Sequence, residues 1–221
     1  MEIQIRKALH KTPLFQDLKK DECESLINCL SPQIRYFAKN EIIILTGDSV
    51  HHVGIILFGT ACAYTEYVNG SQTLISNLTP MSVFGEILFS TKTYKSPVTV
   101  YSTSDVAAAF IEYNKVYSMC TTACAAHRIF LQNMHKAIGD KYFYLFDRIN
   151  ILQEKRLRAR IMTYLYALKS RSEASTVTIP FSKTMLADYL LVNRSALSKE
   201  LRKMEQDGII SVNGREFKLI K

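Results

Sequence analysis

Five side chains near the C-terminal end have the types and the spacing to grip a polyanion: Arg194, Ser195, Ser198, Lys199 and Arg202. At 100° per residue they gather on one face of a helix, while Leu197, Leu201 and Met204 gather on the other. Arginine and lysine bring charge and directed N–H donors. The serines bring short hydroxyls that reach phosphate oxygens or base edges. Insertion into a DNA major groove requires a face of this kind. An ordinary amphipathic hairpin with a solvated polar side would carry the same residue types, so the flanking elements decide.

Those elements favour the groove. Ser182 can cap a preceding short helix that carries Met185, Leu186, Tyr189 and Leu190 on one side. Leu191-Val192-Asn193 makes a tight turn, with Asn193 as N-cap of the second helix, and Gly208 supplies its C-terminal stop. Ile209–Val212, Asn213-Gly214 and Phe217–Ile220 then read as a β-hairpin with a type I′ turn. Upstream, Thr176–Phe181 alternates like a short strand. Strand, helix, turn, helix and hairpin make a winged helix-turn-helix.

Charge follows the same division. The 221 residues carry a formal net charge of +8. Residues 1–153 hold 14 Lys and Arg against 13 acidic residues, and residues 154–221 hold 14 against 7. The excess sits on the helix-turn-helix third, where a polyanion partner would need it. A pure protein adaptor leaves this concentration unexplained. No apolar run approaches a membrane span and the charged start lacks a signal-peptide core. Five cysteines without framework spacing suit a reducing cytoplasm.

Other chemistry finds less support. Cys23 with Cys29 and Cys120 with Cys124 invite an iron–sulfur or thiol-sensor reading, but buried, inert cysteine is the commoner fate. His51 and His52 are adjacent, so on a strand they would point to opposite faces, a poor start for a metal site. A cupin-type metalloenzyme fused to a DNA reader is the competing class. It needs two or three convergent histidines with a carboxylate, and no such cluster appears. No Gly-rich phosphate loop is visible, and catalysis is not expected.

Ahead of the reader, residues 13–30 make a short helical lead-in. Ile34–Phe37, Ile42–Leu45, Val53–Phe58, Ala61–Val68, Thr73–Leu78 and Val98–Ile111 then read as strands separated by turn signals at Asn40, Gly47, Gly59, Asn69-Gly70 and Pro80. Strands at this spacing imply a sandwich or double-sheet roll. After Glu112 the period becomes helical. Leu131, His135, Ile138, Tyr142, Leu145, Ile149 and Leu152 repeat at 4-3-4-3-4-3, three heptads of a coiled-coil seam. The seam points to homodimerisation, although it could also pack on its own domain. Within it, His135 is either a pH-sensitive position or a packed polar residue that fixes register. Gln153-Glu154-Lys155 is the expected hinge, Arg156–Lys169 opens the winged domain, and Arg171–Ser175 is a polar loop.

A roll, a long seam helix and a winged reader, in that order, resemble the Crp/Fnr family of transcription regulators over essentially the whole chain. The stretch SKTMLADYLLVNRSALSKELRKMEQDGIISVNGREFKLI carries the resemblance most specifically, with Gly47, Gly59, Asn69-Gly70 and Phe84-Gly85-Glu86 at the family's turn glycines and cassette start. The resemblance implies an α+β chain with an N-terminal double-stranded β-helix (jelly-roll-like) sensor domain over 1–115. A dimerisation helix follows over 116–153 and a winged helix-turn-helix over 154–221. It further implies homodimers on near-palindromic promoter DNA, RNA polymerase as a partner, and an effector signal passed through the long helix. By position, Arg194, Ser195 and Lys199 fall where the family reads base edges. Ser182, Lys183, Asn193 and Ser198 fall at phosphates.

Effector chemistry departs from the family's cyclic-nucleotide binders. Those use a Gly-Glu pair for the ribose and a following Arg-Ser for the cyclic phosphate. Here Gly85 and Glu86 are present, but the later pair is Lys95-Ser96, and lysine lacks the bidentate fork. The family's usual Gly is missing from Pro80-Met81-Ser82, and Leu145 with Phe146 replaces the polar groups that would meet an adenine. The three departures argue against cyclic AMP and for an unknown or absent small effector. The oxygen-sensing relatives hold an iron–sulfur cluster with several closely spaced cysteines in an N-terminal extension, and these 221 residues contain no such run. No cofactor is expected, with a thiol-based redox-sensing regulator as the alternative.

Overall fold

The computed structural model describes residues 2–88, 91, 93–117, 125–170 and 176–220, and the chain divides into two compact units, Met1–Lys141 and Tyr142–Lys221. Cys120 and Cys124, and the polar loop expected at Arg171–Ser175, lie outside the described residues.

The first unit opens with helix α1 (Glu2–His10), a 3-10 turn (Pro13–Phe15) and helix α2 (Lys20–Leu30). Arg6 pins α1 to α2 through Glu24 and Asn28, each at 2.9 Å. Eight strands follow: β1 (Gln33–Phe37), β2 (Ile42–Ile44), β3 (His52–Phe58), β4 (Ala61–Glu66), β5 (Gln72–Leu78), β6 (Val83–Phe84), β7 (Thr99–Ser102) and β8 (Val106–Glu112). They form two four-stranded antiparallel sheets, ordered β1-β8-β3-β6 and β2-β7-β4-β5. A short helix α3 (Tyr113–Tyr117) and the start of the long helix α4 (Ala125–Gln153) complete the unit. Val53, Ile55 and Ile56 on β3, Ala108 and Ala109 on β8, and Phe130 and Met134 on α4 are all buried in one core.

The expected single strand Val98–Ile111 is two strands in different sheets. Between them, the N–H groups of Thr103 and Ser104 donate to the carbonyl of Thr60, and Ser104 Oγ accepts from the Thr60 N–H at 2.9 Å. That corner is the polar cluster Ser102-Thr103-Ser104-Asp105, a turn signal without the stronger punctuation of Gly or Pro. Strand β6, only two residues long, and helix α1 also went unforeseen.

The second unit contains the end of α4, helix α5 (Leu157–Lys169), strand β9 (Thr176–Thr178), helices α6 (Lys183–Tyr189) and α7 (Arg194–Gln206), and strands β10 (Ile210–Asn213) and β11 (Glu216–Leu219). The three strands form one antiparallel sheet ordered β10-β11-β9. The expected type I′ turn on Asn213-Gly214 is displaced by one residue. Asn213 pairs with Glu216, so Gly214-Arg215 is the loop, and within it only Gly214 has a positive φ, +62°. Type I′ needs positive φ at both central residues, and Gly in the first place alone is the type II′ pattern. The helix break between α4 and α5 falls at 154–156, one residue later than the stretch 153–155 expected as the hinge. Among the described residues no helix is long and apolar enough to cross a membrane.

Candidate nucleic-acid interface and effector cassette

Helix α6 begins where Ser182 Oγ accepts the N–H of Met185 at 3.2 Å. Leu186, Ala187 and Tyr189 are buried, and Leu190 caps the C-terminal end. The turn to α7 closes with Val192 N–H donating to the Ala187 carbonyl, while Leu191 takes φ +54°. A six-to-one bond of this kind closes a helix end around a left-handed residue, a place that glycine fills more readily than leucine. Asn193 stands at the N-cap of α7, but its side chain makes no capping hydrogen bond, so the cap chemistry expected of it is not realised.

The two faces of α7 separate as the sequence periodicity requires. Leu197, Leu201 and Met204 are buried. Arg194, Ser195, Lys199 and Arg202 are exposed, Ser198 is half-buried, and Ser182 and Lys183 are exposed on the neighbouring helix start. The acidic groups are engaged by the fold's own donors. Glu200 and Asp207 each accept from Arg158 on α5, both at 2.7 Å, and Glu205 accepts the backbone N–H of Val212 on β10 at 3.0 Å. With those carboxylates engaged, the outward face keeps its cations. Among the described residues Arg194, Lys199 and Arg202 make no ion pair. At Gly208 (φ +67°) the helix ends, and Ile209 N–H reaches back to the Met204 carbonyl at 3.0 Å. Strands β10 and β11 start from that fixed point.

The cassette in the first unit has a different character. Gly85 adopts φ +78°, and a Cβ there would sit 2.9 Å from the His52 carbonyl, so this glycine is demanded by the backbone itself. Its own carbonyl accepts the Tyr113 hydroxyl at 2.5 Å. Glu86 is 2% exposed. Its Oε1 accepts from Lys141 Nζ of α4 at 2.7 Å, the same ammonium donates to the Val83 carbonyl at 2.6 Å, and its Oε2 is buried without a hydrogen-bond partner among the described residues. Burial, with the Glu86 carboxylate close by, pushes the Tyr113 phenol well above its ordinary range. Ser96 is buried with its hydroxyl donating to the Val98 carbonyl at 2.7 Å, while Lys95 is exposed and pairs through its backbone with Ser49. Leu145 belongs to the second compact unit and is 43% exposed. A cyclic nucleotide asks for an available carboxylate and a bidentate cation. Among the described residues Lys141 engages one oxygen of the carboxylate, Oε2 is left unpaired, and the cation is a solvated lysine that lacks the bidentate fork.

Along α4 the expected seam divides. Leu131 and Ile138 are half-buried against the first unit's core, and His135 is exposed, its Nδ1 donating to the Leu131 carbonyl at 2.8 Å. In the second unit Tyr142, Leu145 and Ile149 are exposed and Leu152 is half-buried. Phe143 and Phe146, absent from the heptad reading, join the exposed apolar stripe, with Tyr142 and Phe146 stacked at 6.4 Å.

Other candidates stay quiet. Burial pushes the thiols of Cys23 and Cys62 up to about 11, which keeps them protonated and unreactive, while Cys29 is exposed. His51 and His52 line one small pocket with Glu112. Even so, no group of three or more metal-binding side chains able to hold an ion occurs among the described residues.

Residues 34–123 match the model of the cyclic nucleotide-binding domain, and residues 159–221 match that of the Crp-like helix-turn-helix domain. The probable transcriptional regulator flp of Lacticaseibacillus casei is 22% identical over 94% of this chain and 91% of its own. Among solved structures, a CooA mutant from Carboxydothermus hydrogenoformans superposes with a TM-score of 0.70 at 17% identity, covering 88% of this chain and 86% of that one. FixK2 from Bradyrhizobium japonicum gives 0.63 at 17% identity, covering 86% and 93%. These two likenesses show the fold.

Proposed function

Because the chain belongs to the Crp/Fnr family of transcription regulators, with its DNA-binding helix-turn-helix, we propose that it works as a homodimer on near-palindromic promoter sites and carries out no catalysis. One helix α7 from each protomer enters the major groove, and the half-sites lie about one helical turn, near 34 Å, apart. Arg194, Ser195 and Lys199 read base edges, with Arg194 suited to bidentate contact with a guanine. Ser182, Lys183, Asn193 and Ser198 meet phosphates, and Arg202 extends the cationic face.

The observation that carries this reading is the sorting of charge on α7: its carboxylates are drawn back to Arg158 and Val212, and its cations face outward. The exposed stripe of Tyr142, Leu145, Phe146 and Ile149 supports the pairing of protomers, because a contiguous apolar face on a soluble helix needs cover. We assign the protein to the cytoplasm, with RNA polymerase as its downstream partner. The cassette takes a small effector other than a cyclic nucleotide, or none.

Selection of bound sequences from random duplex DNA, with and without candidate ligands, tests the whole reading. An inverted repeat with centres about one turn apart is expected. Enrichment of no sequence, or of a single unrepeated half-site, would refute it.

A further inference from the structure

The geometry points to Arg148 as a positioning residue: it clamps the end of the long helix onto the DNA reader, so that the direction of α7 is set by the dimer helix itself. This inference rests on the homodimeric reading above.

Tyr189 is the hub. It is buried at the C-terminal end of α6, the helix immediately before the turn into α7. The Arg148 guanidinium, on α4, lies 4.8 Å from the centre of its ring. Tyr144, one turn earlier on α4, places its ring 5.9 Å away, and Tyr164 of α5 and Phe181 approach at 5.2 and 5.1 Å. Arg148 is itself 5% exposed, an unusual burial for arginine. Taking a guanidinium out of water is costly, and a position that needed only bulk would be filled by leucine or methionine. A planar cation against an aromatic face adds direction, because the attraction is strongest over the ring and falls off as it slides.

A second brace acts at the same corner. Between α4 and α5 the chain has only Glu154, Lys155 and Arg156, a link that would swivel if left to itself. Arg160 closes it by donating from Nε to the Glu154 carbonyl at 2.7 Å and from Nη1 to the Leu190 carbonyl at 3.1 Å. One side chain thus ties the link to the C-cap of α6. With Arg148 above and Arg160 below, the end of α4 and the start of the helix-turn-helix share one set of contacts, and both belong to the same compact unit. Bivalent binding gains affinity only when both heads reach their half-sites together. Freedom at this corner therefore costs the paired contact while leaving each head's own contact intact.

The experiment uses the full-length protein and the selected palindrome, beside a duplex with the half-sites moved apart by about half a turn, 5 base pairs, and a duplex with one half-site only. The wild type should prefer the correct spacing on the order of a hundredfold. Arg148→Met, which keeps the volume and removes the cation, should stay dimeric and bind the single half-site as the wild type does. Its spacing preference should fall to within about threefold. Arg148→Lys should be intermediate. If Arg148→Met fails to fold, Arg160→Ala, at a half-buried site, is judged by the same criteria.

A folded, dimeric variant with wild-type spacing preference overturns the proposal. So does one whose single-half-site affinity falls as far as its paired affinity, which would mark a damaged reader rather than a loosened corner. A wild type that is monomeric, or indifferent to spacing, instead defeats the homodimeric reading beneath it.

Discussion

The helix α7 and the cassette around Glu86 both place charged groups where the family's chemistry resides, yet the fold treats them in opposite ways. On α7 the acidic side chains are bonded inward and the cations are left to the solvent. At the cassette the acidic group is buried and a half-exposed lysine of the same unit holds one of its oxygens. A side chain is available to a partner only if the protein has not already used it. By that standard the reader is open and the cassette is partly closed from within.

Mutations can break this contrast, starting where the effect is largest. Leu197→Ala removes a fully buried side chain from the inner face of α7 and should cost about 2–5 kcal/mol of stability, with melting and DNA binding falling together. Lys141→Ala leaves the Glu86 carboxylate buried and unpaired. Because the Lys141 side chain is 40% exposed, the loss should be about 2–3 kcal/mol, somewhat below that of a fully enclosed pair. Adding Glu86→Gln should restore most of it in a denaturant melt. If Lys141→Ala melts like the wild type, the cassette is not held by this pair.

Arg194→Ala sharpens the other half of the comparison. It should remove about 1–3 kcal/mol of discrimination at one position of each half-site, with a melt within about 0.5 kcal/mol of the wild type. Mobility shifts on matched and mismatched duplexes measure it. The smallest effect concerns His52, whose imidazole is held below its ordinary value by burial first and by the Arg35 charge second. The unfolded chain therefore binds the proton more readily. Stability should be full above the ordinary histidine range and decline as pH falls from there through the folded value. His52→Gln should flatten that part of the pH–stability curve, and an unchanged slope would clear His52.

Where the sequence was legible, local rules were at work. The helix-turn-helix could be read because periodicity, an N-cap serine and a stop glycine all lie within one short stretch, and the structure keeps Ser182, Leu197, Leu201, Met204 and Gly208 in those roles. The wing was read one residue out of place, because Asn-Gly suits type I′ while strand pairing carried Asn213 into β10. The split between β7 and β8 was hidden because Thr60, far away in sequence, supplies the acceptor that turns the chain. Lys141 was invisible for the same reason: its partner is 55 residues earlier, and no spacing rule joins them. The corner at Tyr189 likewise draws on three helices and the segment before α6, and only the folded chain brings them together.

The wet apolar stripe on α4 has a consequence for how the protein is counted in a cell. Tyr142, Phe143, Leu145, Phe146 and Ile149 contribute little to holding a solitary chain together while they face water. In the homodimer we propose, a second copy covers them and adds stability by mass action, so the melting temperature should climb as the solution is made more concentrated. Its abundance then becomes a thermodynamic setting: scarce copies are fragile as well as few, and expression level tunes durability along with occupancy.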